Sequence, residues 1–285
     1  MSQPLQFVRP FDPASITTLL LDADDNLFPS EAPAFDASAE VTTRFLARFG
    51  VTAPLSGDEL RKKAVGKNFR STATDLAVLS GVPFEKALAD GRPGALVASD
   101  SDVADGRALT AGELEQWVLK EREQVTAHLA VTLKPDPNVL GPLKDLAARF
   151  AMAAVSSSAL TRLKASFTAA GLDPLVPEAV RFSAEDSLPV PTSKPDPAVY
   201  LHAGRVLGVE GSHGLAVEDS VAGVTSAVAA GYYAVGNVMF VPADERQSRT
   251  RELLEAGAVA VTDSWRALAD SLILAAVTSG GSPLG

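Results

Sequence analysis

The chain contains no cysteine. That absence excludes disulfides, zinc–thiolate sites and thiol nucleophiles, and it fits a reducing, cytoplasmic setting. Basic runs are missing too. No cluster of Lys and Arg appears, and 35 acidic against 25 basic residues give a formal net charge of −10. A chain of that sign repels a phosphate backbone, so no nucleic-acid partner is expected. A small phosphorylated molecule is still admissible, because one local cation can override the global sign. There is also no apolar run of the roughly 18 residues that a membrane span needs. The nearest approach, Ala267–Val277, reads as an amphipathic helix. Met1–Pro10 hold neither a basic stretch nor an apolar run, so no signal peptide is expected. Only three histidines occur, His128, His202 and His213, and none falls in a motif.

What is present suits a folded enzyme. The 285 residues are 46% hydrophobic and 21% charged, enough to build a sizeable core in one large domain or two ordinary ones. From Phe150 onward, short apolar runs alternate with helical patterns: Ala151–Val155, Gly214–Val217, Tyr233–Val238 and Ala258–Thr262 read as strands. Continuous rather than alternating apolar runs are what strands covered on both faces require. Strand, helix, strand in this rhythm predicts a parallel sheet with helices on both sides.

The N-terminal part adds one more strand, Thr17–Leu21. After it the periodicity turns helical. Val41, Phe45, Leu46 and Phe49 share one helix face, and Leu114, Trp117, Val118, Val125 and Leu129 share another. Thr110 and Glu113 form a capping-box pattern, and Gly/Asp/Ser-rich Asp90–Leu109 reads as a long mobile loop. The expected architecture is α/β, a Rossmann-like parallel-sheet core of residues 1–33 and 134–285 with an inserted α-helical cap of residues 34–133. A helical insert directly after a catalytic strand is placed to cover an active site. The Gly/Ser/Pro-rich tail, Ser279–Gly285, is expected to be disordered.

Four polar clusters follow these apolar runs. Strand Thr17–Leu21 ends in Asp22-Ala23-Asp24-Asp25-Asn26, and Ala151–Val155 ends in Ser156-Ser157-Ser158. Ser193-Lys194-Pro195-Asp196-Pro197 leads into a helix, and the apolar Gly214–Val217 ends in Glu218-Asp219-Ser220. Each has a plain structural explanation: turn residues, a helix cap, a solvated lysine, dipole partners. Together they place acids, hydroxyls and one ammonium group at the carboxyl edge of the predicted sheet, where open α/β folds bind ligands. That set suits phosphate and Mg²⁺.

These motifs, LLLDADDNLFPSE, AVSSSALTRL, SKPDPAVY and GLAVEDSVAGVTSAVAAG, resemble in order and spacing those of the haloacid dehalogenase superfamily of phosphotransferases. The resemblance implies an enzyme in which Asp22 attacks phosphorus to form an aspartyl-phosphate. Asp24 would protonate the leaving oxygen and then activate water, Ser156 would bind a phosphoryl oxygen, and Lys194 would neutralise charge. Mg²⁺ would be held by Asp22, the backbone carbonyl of Asp24, Asp219 and Glu218. Ser157, Ser158 and, from the cap, Lys67 and Arg70 are the expected substrate-binding residues. Four acids and a phosphate dianion against the three positive charges of Lys194 and Mg²⁺ imply that Asp24 is protonated in the substrate complex. Asn26 departs from the Thr or Val usual at its position, and Asp25 reads as a turn residue.

Within that superfamily, Asp24 resembles the phosphoryl-transfer enzymes and not the dehalogenases. The insert and the KPDP and EDS motifs resemble the β-phosphoglucomutase-like branch. True mutases there carry a His about ten residues past the acid/base Asp, where this chain has Ala34. The implied function is a Mg²⁺-dependent phosphatase of a small phosphorylated metabolite, a monomer or homodimer with no membrane partner. A sugar-phosphate mutase and a catalytically silent binding protein are the alternatives.

Overall fold

A computed structural model of the chain describes residues 5–52, 54–64 and 68–279. Lys67 of the expected cap loop and residues 280–285 of the tail lie outside the described residues. By contact the chain divides into two compact units, Met1–Ser30 with Leu133–Gly285, and Glu31–Thr132.

The chain opens with β1 (Thr18–Leu21) and passes into the second unit. There it forms α1 (Glu31–Ala47), α2 (Gly57–Lys63), α3 (Phe69–Leu79), β2 (Pro83–Phe84), α4 (Lys86–Ala89), β3 (Leu96–Val97), α5 (Asp100–Ala104) and α6 (Ala111–Thr132). The first unit resumes with α7 (Pro137–Ala147), β4 (Ala151–Ser156), α8 (Leu160–Ala169), β5 (Arg181–Ser183) and α9 (Ala198–Leu207). It ends with β6 (Gly214–Glu218), α10 (Val221–Ala229), β7 (Tyr233–Asn237), α11 (Arg246–Ala256), β8 (Ala260–Thr262) and α12 (Trp265–Ser279).

The first unit is the expected α/β core. Its six strands run parallel in the order β5-β4-β1-β6-β7-β8. All four residues of β1 are buried, which explains its unbroken TLLL sequence: a central strand meets helices on both faces. Progression from β1 goes one way to β4 and β5, and the other way to β6, β7 and β8. That reversal opens a crevice at the carboxyl ends of β1 and its neighbours. Leu20, Val155, Tyr200, Ala216, Val224 and Leu253 pack into one continuous cluster beneath that edge. Fully burying side chains of this kind contributes about 1.5–3 kcal/mol for each large apolar one.

The second unit is helical around Phe45, Leu60, Leu76, Phe84, Leu109 and Leu114, with Trp117 edge-on to Phe45 at 5.7 Å. Two readings of the sequence are corrected here. The unit contains a two-stranded parallel sheet, β2 with β3, of two residues per strand, too short to leave a periodic signal. The expected loop Asp90–Leu109 contains β3 and α5, the latter opened by a reciprocal capping box between Ser99 and Asp102. The other predicted box is only half formed: Thr110 Oγ1 accepts from the Glu113 amide, while the Glu113 carboxylate meets Arg48 instead. No helix among the described residues is long and apolar enough to cross a membrane.

Candidate active site

Asp22 is the first residue beyond β1, and its amide donates to the Val217 carbonyl of β6 at 3.0 Å. The chain then turns sharply. Asp25 takes φ +49°, the sole positive value for a non-glycine residue among the described residues, and its amide donates to the Phe28 carbonyl. An Asp tolerates this conformation better than most side chains, so the turn-residue reading of Asp25 agrees with the backbone. Phe28 is buried edge-to-face on Phe167 of α8, 5.6 Å away, which anchors the turn to the core.

Lys194 stands opposite. Its Nζ donates to Asp22 Oδ1 at 2.5 Å, to Glu218 Oε1 at 2.7 Å and to the Val155 carbonyl at 2.7 Å. The peptide bond that follows it, to Pro195, is cis. The Lys194 amide donates to Ser157 Oγ at 3.1 Å, and Ser226 Oγ donates to the Asp196 carbonyl, so two elements hold the lysine loop. Burial works against the ammonium, but Asp22 and Glu218 outweigh it and hold Lys194 above the ordinary lysine value.

Glu218, the last residue of β6, is completely buried. Tyr200 of α9 donates its hydroxyl to Glu218 Oε1, beside the lysine. Glu218 Oε2 has no hydrogen-bond partner among the described residues. Carboxylate oxygens of Asp22, Glu218 and Asp219 all lie within 4.8 Å of one another, a grouping able to hold a metal ion. Burial, with the negative charge of Glu218 and Asp24, raises the Asp22 carboxyl well above its ordinary value against the pull of Lys194. Asp219 is raised in the same sense by burial and by Asp22 and Glu218.

Asp24 turns its side chain away from that group. Ser30 Oγ donates to Oδ1 at 2.6 Å, Ser158 Oγ to Oδ2 at 2.6 Å, and Arg162 Nη2 to Oδ1 at 3.0 Å. Burial alone would raise this carboxyl, but Arg162 and the two hydroxyls prevail and hold it below the ordinary value. The charge balance expected from the sequence, which set only Lys194 and Mg²⁺ against the acids, therefore needs correcting. Arg162 is a further cation, and in this structure it favours Asp24 as a carboxylate.

The structure thus brings together Asp22, Asp24, Ser156, Ser158, Lys194, Glu218 and Asp219 at one sheet edge. Ser156 is buried, with Oγ accepting from the Ser158 amide at 3.0 Å. Ser157 Oγ accepts from the Lys194 amide, and Ser158 Oγ donates to Asp24. Arg70 lies in the second unit in a bidentate pair with Glu115 of α6. Sequence reasoning missed Arg162, Ser30 and Tyr200. All three lay inside the motifs, yet nothing in their spacing marks these side chains as reaching a strand end.

A family model for haloacid dehalogenase-like hydrolases matches residues 16–231, well over half the chain. The chain belongs to the haloacid dehalogenase-like hydrolases. Its fold is that of solved family members at low identity. One is a conserved haloacid dehalogenase-like protein from Agrobacterium tumefaciens C58 (23% identity, 94% of this chain and 100% of that one, TM-score 0.60). A second is a haloacid dehalogenase family hydrolase from Deinococcus radiodurans R1, solved with phosphate and sodium (22%, 92% and 97%, TM-score 0.59). A third is a predicted phosphoglycolate phosphatase from Haemophilus somnus 129pt (17%, 90% and 97%, TM-score 0.63). No curated protein matches the sequence.

Proposed function

We propose that this haloacid dehalogenase-like hydrolase is a Mg²⁺-dependent phosphatase of a small phosphorylated metabolite, working through an aspartyl-phosphate on Asp22. The observation that carries this reading is the placement of the Asp22 carboxylate. It sits at the end of the central strand, 2.5 Å from Lys194 Nζ and grouped with Glu218 and Asp219.

The donor set fits Mg²⁺. It offers carboxylate oxygens and no soft ligand. Burial, with repulsion from neighbouring carboxylates, raises Asp22 and Asp219, and Lys194 only partly offsets this. Glu218 Oε2 is buried without a partner. Asp22, Glu218, Asp219 and the Asp24 carbonyl are the proposed ligands, and the ion would supply positive charge beside the nucleophile and the phosphoryl oxygens.

An Asp22 oxygen attacks phosphorus, and the P–O bond to the leaving alcohol breaks as Asp24, which takes up a proton when the phosphate dianion binds beside it, gives that proton to the leaving oxygen. A water molecule then attacks phosphorus and passes its proton to the Asp24 carboxylate. The bond to Asp22 breaks, and inorganic phosphate leaves. The pairing of Asp24 with Arg162, Ser158 and Ser30 suits the second half, which needs the carboxylate. Lys194 offsets the charge of Asp22 until the phosphoryl group is attached, and Ser156 is the proposed donor to a phosphoryl oxygen. Substrate choice is proposed to lie with the helical insert, through Lys67 and Arg70, the latter on release from Glu115.

The test is a phosphate-release screen over phosphorylated sugars, nucleotides and small acids, with and without Mg²⁺, using wild type and Asp22→Asn. The amide fills nearly the same volume but has no anionic oxygen. Release should depend on Mg²⁺ and vanish in the variant while the fold persists. Turnover within about tenfold of wild type would end the nucleophile assignment.

A further inference from the structure

We propose that Asn26 is a positioning residue whose carboxamide sets the separation of the β1 and β6 ends, so that Asp22, Glu218 and Asp219 converge on one cation. This inference rests on the Mg²⁺ reading of the site.

The β1–β6 register closes at Leu21 with Val217. Beyond that rung the strands deliver Asp22 on one side and Glu218 on the other, and the spacing of the acids depends on what ties the open end together. Asn26, fully buried, does so. Its Nδ2 donates to the Asp22 carbonyl at 2.8 Å and to the Val217 carbonyl at 3.0 Å, spending both N–H groups on the two strands. Two carbonyl oxygens facing one amide end require that end to be nitrogen, so the orientation of the group follows from its partners.

The other end is held as firmly. Asn26 Oδ1 accepts from Asn237 Nδ2 at 2.8 Å. The Asn26 carbonyl accepts from Trp265 Nε1 at 3.0 Å. Asn237, the last residue of β7, is itself fully buried, and its Oδ1 accepts from the Met239 amide at 3.0 Å. The carboxamide therefore links the ends of β1, β6 and β7, and the backbone carbonyl of the same residue ties in the start of α12. A Val here could donate nothing, and a Thr hydroxyl has one proton for two carbonyls. The Asn26–Asn237 pair does what neither residue can do alone. A fully satisfied buried network of this kind restricts its members to one arrangement.

The experiment measures Mg²⁺ affinity by titration calorimetry, a readout that needs no turnover, together with unfolding temperature and phosphate release. The proteins are wild type, Asn26→Ala, Asn26→Thr, Asn237→Ala and the Asn26→Ala/Asn237→Ala double variant. Loss of a group that orients metal ligands typically weakens binding by about 10–100-fold, and Asn26→Ala should fall in that range. Asn26→Thr should recover part of the loss, Asn237→Ala should show a smaller loss of the same kind, and the double variant should bind no worse than Asn26→Ala. Unfolding temperatures that drop while Mg²⁺ affinity stays within twofold of wild type would overturn the proposal. So would losses that multiply in the double variant. If Asn26→Ala does not fold, Asn237→Ala carries the same test from the far end of the pair. Wild type that binds Mg²⁺ but releases phosphate from no substrate would sink the phosphatase reading and leave this comparison intact.

Discussion

Lys194 has three N–H donors and spends all of them inside the protein, on Asp22, Glu218 and the Val155 carbonyl. It can therefore neutralise an incoming phosphoryl group through its charge, but it donates to that group only by giving up one of these bonds. The hydroxyls and the second cation do the finer placement, and they converge on Asp24. This makes Asp24 the residue whose role is most open to measurement. Asp24→Ala should slow departure of an alkoxide leaving group by about 10²–10⁴-fold, the usual cost of losing a general acid. A nitrophenolate is already a stable anion and should be far less affected. The comparison belongs in single-turnover kinetics, before the shared water-activation step, where Asp24 also acts. Equal losses for both leaving groups would make Asp24 a structural partner of Arg162 and not the acid.

At the scale of elements, the site depends on how closely a helix approaches a strand end. Helix α10 begins over Glu218, capped by Ser220, whose Oγ accepts from the Gly223 amide at 3.1 Å. A Cβ on Gly223 would lie 1.7 Å from Glu218 Oε2, and that carboxylate is pinned by Lys194 and Tyr200. The helix or the acid must move. Gly223→Ala should cost about 1–3 kcal/mol or more through overpacking and weaken Mg²⁺ binding and turnover with it. Gly112 in α6 has open space around its would-be Cβ, so Gly112→Ala is the control that should leave both unchanged. Normal Mg²⁺ affinity in Gly223→Ala would show that Glu218 is not part of the cation site.

The same scale explains what could be read from sequence. Strands β1, β4, β6, β7 and β8 were legible as unbroken apolar runs, which burial under helices demands, and the acids and serines of the site close or directly follow β1, β4 and β6. β5 was not, since it has three residues and begins with Arg181. That buried guanidinium is held through Nε and Nη2 by the Val176 carbonyl and through Nη2 by Asp173, partners no local pattern announces. Helix α5 was hidden in a polar stretch whose Ser99–Asp102 box lacks an apolar face. Arg162, Tyr200 and Asn237 escaped for a related reason. Their importance depends on helix angle and strand order, which fix where a side chain ends up but leave no mark in its neighbours along the chain.

At the scale of the whole molecule, the −10 net charge and the buried acids make stability depend on pH and, on the proposed reading, on metal. Asp22 and Asp219 have raised values in the folded protein, so between the ordinary carboxylate value of about 3.9 and those raised values the folded state binds more protons than the unfolded one. Stability contributed by these two groups is then full at low pH and is lost as pH rises through the raised values. Asp24 and Asp173 act oppositely: their values are lowered, and the stability they contribute is lost as pH falls through them. The metal-free protein should therefore be most stable in mildly acidic solution and weaker at neutrality. On the proposed reading, Mg²⁺ should reverse the neutral-pH loss by binding the carboxylates. At 100 times its dissociation constant a ligand adds about 2.7 kcal/mol, which at about 2–4 °C per kcal/mol for a chain of this size raises the unfolding temperature by about 5–10 °C. The gain should shrink toward acid pH, where protons compete for the same oxygens. The two tryptophans let the core be watched by itself, since Trp265 lies in the unit that carries the sheet and Trp117 in the helical unit. In a Trp117→Phe background, thermal unfolding followed by Trp265 fluorescence should shift upward with Mg²⁺ at neutral pH, and less so in acid. A Trp265 transition indifferent to Mg²⁺ at neutrality, or one that shifts more in acid, would mean that Asp22, Glu218 and Asp219 do not hold the ion.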